Sequence, residues 1–127
     1  MKLAYVDTSC LVAIAFAETG WEKWAARLRT FDRLVASNLL EAELRAALVR
    51  ERVAGRAEEL LHGITWLYPN RSLGPEIQQV AAHGYLRGAD LWHLACALFL
   101  EPQPAHLTFL TLDRQQKDVA VKLGLRS

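Results

Sequence analysis

The chain has 127 residues, of which 52% are hydrophobic and 23% charged, and its formal net charge at pH 7 is +1. A chain of this length can form one domain that buries well over half of its unfolded surface, and this composition excludes a disordered protein. No stretch reaches the roughly 18 apolar residues that a membrane span requires, and the N-terminal sequence lacks the long apolar region of a signal peptide. We therefore expect a single domain over residues 1–127, located in the cytoplasm.

The two cysteines, Cys10 and Cys96, each lie in an apolar segment that predicts a helix. Two isolated cysteines support neither a disulfide framework nor a zinc site. We expect both to be ordinary small residues of the core.

Short apolar runs alternate with helical patterns through the first half of the chain. The run Leu3–Val6 predicts a buried strand, and the Asp-Thr-Ser that follows predicts the start of a helix. Ser37 or Asn38 can cap a later helix in the same way. The elements predicted in this half are strands over 3–6 and 34–36 and helices over 9–16, 18–29, 39–52 and 56–62.

The second half continues the alternation. Ile64–Tyr68 combines β-branched and aromatic residues, which predicts a strand. Ala89–Leu100 is interrupted only by Asp90 and His93, which predicts a helix buried nearly all round. The elements predicted in this half are strands over 64–68 and 107–111 and helices from 74, over 89–100 and over 114–123.

Strands separated by helices predict a three-layer α/β fold, with a short, mainly parallel sheet of four strands and helices on both faces. In such sheets, ligands bind beyond the carboxyl ends of the strands. Asp7 follows the first predicted strand and Asp113 follows the fourth. These two acids are the first candidates for a site.

Glu43 has apolar neighbours three and four positions away on both sides, which predicts that its side chain points into the protein. The neighbouring Glu41 has mainly polar residues at the same offsets and can form a surface ion pair with Arg45. An inward carboxylate is costly unless it is protonated, paired or bound to a cation. Glu43 therefore needs a partner from elsewhere in the fold, and a hydrogen-bond donor or a basic residue would serve as well as a metal.

The three aspartates have structural explanations of their own. Asp90 stands at the start of the buried helix, where a negative side chain is favourable. Asp113 and Gln116 fit a capping box, and Asp7 can be a turn residue. Their combination with Glu43 at one predicted crevice nevertheless favours a shared site.

Several carboxylates at one crevice repel each other, by about 4 kcal/mol for a pair roughly 4 Å apart at an effective dielectric constant near 20. A divalent cation removes this repulsion, and an all-oxygen site favours Mg²⁺ or Mn²⁺ over zinc. Such a metal can activate water and hold a phosphodiester. The sequence thus predicts phosphodiester hydrolysis with four acids as catalytic residues and metal ligands: Asp7, Glu43, Asp90 and Asp113.

The four acids lie in the segments Tyr5–Ser9, Ser37–Leu44, Gly88–Ala95 and Phe109–Asp113. In their order and spacing, over nearly the whole chain, these segments resemble the PIN-domain family and especially its VapC-type toxins. The resemblance implies a Mg²⁺- or Mn²⁺-dependent endoribonuclease, with RNA as substrate and the four acids as metal ligands. It also implies that Thr8 or Ser9, together with Thr111, lines the site. The partners that it implies are a second copy of the chain, in a homodimer, and an antitoxin protein that inhibits the site.

Two features of the chain limit how far the description of the family applies to it. Members of the family often have a fifth short strand after the last helix, whereas this sequence stops at Gly124–Ser127. We therefore expect the fifth strand to be absent or rudimentary. His93 lies one turn after Asp90, but a lone histidine in a buried helix is more often structural, so we assign it no catalytic role.

The charge balance permits a polyanionic partner. Fourteen acidic residues less the four of the site leave ten, against fifteen basic ones. The arginines nearest the acidic motifs are Arg45, Arg87 and Arg114, and we expect these to contact RNA.

Other functions remain open at this point. The same fold could serve RNA processing outside a toxin–antitoxin pair, or act as a non-catalytic RNA-binding module, although the four acids argue against the latter. A phosphoreceiver domain has a similar sheet but needs an aspartate after the third strand and a late lysine. Here the third strand ends in Tyr68-Pro-Asn, so a receiver is disfavoured.

Overall fold

A computed structural model describes residues 1–127. Its four strands are β1 (Leu3–Val6), β2 (Arg33–Ser37), β3 (Ile64–Leu67) and β4 (Thr108–Leu110). Its seven α-helices are α1 (Thr8–Ala15), α2 (Trp21–Leu28), α3 (Leu39–Arg50), α4 (Ala57–Leu61), α5 (Gly74–Ala81), α6 (Gly88–Leu100) and α7 (Arg114–Lys122), with short 3₁₀ turns at Ala54–Arg56 and Pro104–His106.

The strands form one parallel sheet in the order β3-β2-β1-β4. Alternate residues of β1 face opposite sides, because successive side chains of a strand do so. Ala4 and Val6 pack into a core with α1, α3 and α4, whereas Tyr5 packs into a second core with α5, α6 and α7. The sheet is therefore the middle of three layers, and the predicted α/β class with four parallel strands is confirmed.

A rudimentary fifth strand lies beside β4, as expected. The backbone N–H of Phe109 donates to the carbonyl of Arg126 at 2.8 Å, and the N–H of Arg126 donates to the carbonyl of Leu107 at 3.0 Å. The pairing is a single parallel bridge between Thr108 and Arg126. It covers one edge of the sheet, while β3 forms the other edge.

Two predicted helix boundaries were wrong, each beside a residue with positive φ. The helix predicted from residue 18 begins at Trp21, because its capping residue Gly20 has the left-handed φ of +87°. The helix predicted to reach residue 52 ends at Arg50, since Arg52 has φ +61°. The helix predicted over 56–62 is α4, which directly follows the 3₁₀ turn. None of these boundaries touches the candidate site.

Both cysteines are buried with free thiols, as predicted, and burial raises the pKa of Cys96 to about 12. None of the helices is both long and apolar enough to cross a bilayer. The longest helix, α6, has 13 residues.

Candidate active site

The carboxyl edge of the sheet carries Asp7, which follows β1 directly. Asp7 is only 4% exposed and caps α1, where its Oδ2 accepts a hydrogen bond from the backbone N–H of Ser9 at 3.1 Å. Its own backbone N–H donates to the carbonyl of Leu110 at the end of β4. The turn interpretation of Asp7 is thus correct, and the same turn fixes a buried carboxylate at the crevice.

Gln116 of α7 connects three of the predicted acids. Its side-chain amide nitrogen donates to Oδ1 of Asp7 at 3.2 Å and to the backbone carbonyl of Asp90 at 3.1 Å. Its backbone N–H donates to Oδ1 of Asp113 at 2.7 Å, so Asp113 caps α7 as predicted. One fully buried glutamine therefore holds β1, α6 and α7 together at the crevice.

The predicted hydroxyl residues surround the same glutamine. Thr111 donates to Oε1 of Gln116 at 2.6 Å and accepts from the backbone N–H of Asp113 at 3.0 Å. The Ser9 hydroxyl accepts from the N–H of Leu112 at 3.1 Å and lies 3.3 Å from Thr111 Oγ1. These bonds join the start of α1 to the loop after β4.

Glu43 of α3 approaches from the other side of the crevice. Its Oε1 accepts from the hydroxyl of Thr8 at 2.7 Å and lies 2.7 Å from Nε2 of His93. The side chain is 32% exposed, so it is half-buried rather than enclosed. Glu43 thus has the partners that its inward position required, a hydroxyl and a histidine from α6.

Asp90 stands apart because its carboxylate makes no hydrogen bond. Asp90 lies in the first turn of α6, as predicted, where a negative side chain is favourable, while Arg87 occupies the capping position. Burial raises the pKa of Asp90, and the negative charges of Asp7, Asp113 and Glu43 raise it further. The carboxylate of Asp90 is therefore close enough to those of the other three predicted acids to interact with each of them electrostatically.

The family of the chain is shown by its sequence as a whole. Residues 4–122 match the profile of the PIN domain. The chain belongs to the PIN-domain family. PIN domains are generally nucleases, which hydrolyse phosphodiester bonds. A search of curated proteins found no match to the chain.

The carboxylate cluster of this PIN domain suits a hard divalent cation. Its available donors are carboxylate oxygens and hydroxyls, and burial, followed by the neighbouring negative charges, raises the pKa of Asp90. No three acidic, histidine or cysteine side chains are positioned to hold one ion together. Mg²⁺ usually retains several waters and binds through only one or two carboxylates, so the cluster fits a largely hydrated ion.

Burial alone would raise the pKa of Glu43, but the hydrogen bonds from His93 and Thr8 lower it overall. Glu43 is therefore ionised near neutral pH. Two neighbouring acids are thus held differently, Glu43 as a hydrogen-bonded carboxylate and Asp90 as an unpartnered one.

The three predicted RNA-contacting arginines differ in their surroundings. Arg45 donates to Glu41 at 2.7 Å and to Glu58 at 2.8 Å, so the predicted pair with Glu41 is present. Arg87 and Arg114 are exposed at the starts of α6 and α7 and make no side-chain hydrogen bond or ion pair. Of the three, these two guanidinium groups are free to bind a ligand.

Sequence reasoning missed the role of Gln116. It was considered only as the partner of Asp113 in a capping box, yet its side chain makes no bond back to the Asp113 N–H. Val119 and Ala120, three and four positions later, are buried with it. A polar residue on the apolar face of a helix was the signal that identified Glu43, and it would also have identified Gln116.

Proposed function

We propose that this PIN domain is a metal-dependent endoribonuclease, with Asp7, Glu43, Asp90 and Asp113 as its catalytic residues and metal ligands. The observation that carries the proposal is the convergence of four carboxylates on one crevice, where Asp90 remains unpartnered and close to the other three charges. Such an arrangement costs stability in the absence of a cation. A function that requires a bound cation explains why the residues are there.

A bound Mg²⁺ or Mn²⁺ would act as a Lewis acid toward the phosphodiester and would promote ionisation of a water molecule. The chain itself holds the reactants. Asp7 and Asp113 are fixed by their helix caps, and Gln116 sets the distance between them. Burial and the neighbouring carboxylates raise the pKa of Asp90, and a bound cation would favour its ionised form.

Arg87 and Arg114 would bind the RNA backbone, because both are exposed, unpaired and adjacent to the acidic residues. A planar guanidinium suits bidentate contact with phosphate. Arg45 is less suited, since Glu41 and Glu58 already accept from two of its nitrogens and balance its charge. Thr8, Ser9 and Thr111 support the site by orienting the acids.

The toxin role, the antitoxin partner and the homodimer belong to this proposal as inferences from the resemblance to VapC-type proteins. A cytoplasmic location is compatible with the two free, buried thiols. RNA processing outside a toxin–antitoxin pair would use the same site. A neighbouring gene that encodes a small DNA-binding antitoxin would favour the toxin role.

The test is RNA cleavage by purified protein with Mg²⁺, with Mn²⁺ and with chelator. Glu43→Gln is paired with Glu41→Gln, because both glutamates lie on α3 but only Glu43 belongs to the cluster. We expect cleavage that needs metal, that Glu43→Gln reduces at least about 100-fold, and that Glu41→Gln leaves within about two-fold. Cleavage that persists in chelator, or equal loss in both variants, would contradict the proposal.

A further inference from the structure

A buried chain of hydrogen bonds leads from the middle of the sheet to Glu43. The backbone N–H of Ser37 donates to the hydroxyl of Tyr5 at 3.0 Å. That hydroxyl lies 2.7 Å from Nδ1 of His93, and Nε2 of His93 lies 2.7 Å from Oε1 of Glu43. Tyr5 is 0% exposed and His93 1%, so water does not compete for the bond between them.

The direction of each bond follows from the donors available. The Ser37 N–H can only donate, so the Tyr5 hydroxyl accepts there and has one hydrogen left to donate. A phenol keeps its hydrogen at neutral pH, since its ordinary pKa is about 10. Nδ1 of His93 lies 2.7 Å from the hydroxyl, and we assign this hydrogen to it. The remaining imidazole proton then resides on Nε2, which donates to Glu43.

The chain leaves one oxygen of Glu43 available. The Thr8 hydroxyl and His93 Nε2 both approach Oε1, whereas Oε2 accepts no hydrogen bond from the protein. Two donors on one oxygen hold the carboxylate plane in a single orientation. The second oxygen is left to interact with a ligand in the crevice.

We propose that Tyr5 and His93 are positioning residues, which fix His93 as its Nε2–H tautomer and hold the Glu43 carboxylate so that Oε2 is presented to the metal. This inference rests on the proposed metal-dependent function. It gives His93 a role that its place in a buried helix did not reveal. Neither residue touches substrate or metal, so each acts only through Glu43.

The hydrogen positions can be tested directly on the metal-free wild-type protein. Long-range ¹H–¹⁵N correlation spectra at neutral pH distinguish a protonated imidazole nitrogen from an unprotonated one. We expect Nε2 of His93 to carry the proton and Nδ1 to be unprotonated. A proton on Nδ1 would overturn the proposal, whatever the protein's activity.

The positioning role is tested by Mn²⁺ binding, followed by electron paramagnetic resonance, and by cleavage kinetics. Tyr5→Phe removes only the hydroxyl and is paired with Phe109→Leu, which alters the ring stacked on Tyr5 at 5.4 Å but leaves the hydrogen bonds intact. We expect Tyr5→Phe to weaken Mn²⁺ binding about ten-fold and to lower kcat with little change in KM for RNA. Phe109→Leu should bind Mn²⁺ within about two-fold of wild type.

Substitution of the histidine gives a second comparison. The amide nitrogen of glutamine corresponds in position to Nε2, so His93→Gln should retain more Mn²⁺ affinity than His93→Leu. Unchanged Mn²⁺ affinity in Tyr5→Phe and in His93→Leu would overturn the positioning role while the proposed nuclease function stands. A wild-type protein that neither binds Mn²⁺ nor cleaves RNA would instead overturn the proposed function itself.

Discussion

Replacement of Gln116 by leucine should destabilise the protein strongly, although Gln116 is not one of the proposed ligand-binding residues. Leucine keeps much of the volume but removes the donor to Asp7, the donor to the Asp90 carbonyl and the acceptor for Thr111. The Thr111 hydroxyl can turn toward Asp7 Oδ2, which lies 3.4 Å away. Oδ1 of Asp7 loses its donor, and the Asp90 carbonyl, which lies within α6, keeps only its helical hydrogen bond.

The expected loss in free energy of unfolding comes from the hydrogen bonds to those two acceptors. Asp7 is 4% exposed, and a hydrogen bond to a buried charge contributes about 1.5–3 kcal/mol. The second bond, to a carbonyl that keeps its helical partner, contributes about 0.5–1.5 kcal/mol more, partly offset by the added apolar contact of leucine. We expect the free energy of unfolding to fall by about 3 kcal/mol and Tm to fall by roughly 10 °C.

Urea denaturation at pH 7 in chelator measures this change. The control is Gln115→Leu, because Gln115 is exposed and its side chain makes one bond, to the carbonyl of Tyr85. The control should lie within about 0.5 kcal/mol of wild type. If Gln116→Leu falls within about 1 kcal/mol of wild type, or matches its control, the hydrogen-bonded link between the acids is not what stabilises the crevice.

Three further changes have definite outcomes. The pKa of Asp90 is raised in the folded state, so ionisation of Asp90 destabilises the fold. Asp90→Asn should therefore be more stable than wild type in chelator at pH 7, and the difference in free energy of unfolding, measured by urea titration, should shrink as pH falls toward 3.8. A variant less stable than wild type at pH 7 would contradict this. Arg114→Ala should weaken RNA binding, measured by fluorescence anisotropy in chelator, whereas Arg45→Ala should not; equal losses would reject the assignment. Gly124→Ala should lower the free energy of unfolding by about 1–2 kcal/mol, because φ is +93° there and a residue with a Cβ is strained in that conformation. An unchanged Tm in calorimetry would contradict this expectation.

Much of the fold could be predicted from patterns that are local in the sequence. The apolar run Leu3–Val6 and the polar residues after it determine a strand, a cap and the start of α1 within a dozen positions. Gly124, with a left-handed φ, ends α7 where the sequence predicted.

The interactions within the site could not be predicted in the same way. His93 and Glu43 lie 50 positions apart, and Gln116 and Asp7 lie 109 apart. Such contacts depend on the distance and rotation of helices across the sheet, which no local pattern specifies. The sequence therefore predicted that Glu43 needs a partner but did not identify His93.

The central claim is that the four carboxylates form a cation site, and Mn²⁺ binding to the metal-free protein tests it most directly. Electron paramagnetic resonance would compare wild type with Asp90→Asn and with Asp118→Asn, an exposed aspartate of α7 outside the cluster. We expect saturable binding to wild type and to Asp118→Asn, and binding at least about ten-fold weaker in Asp90→Asn. Equal binding in all three proteins, or none in wild type, would contradict the claim.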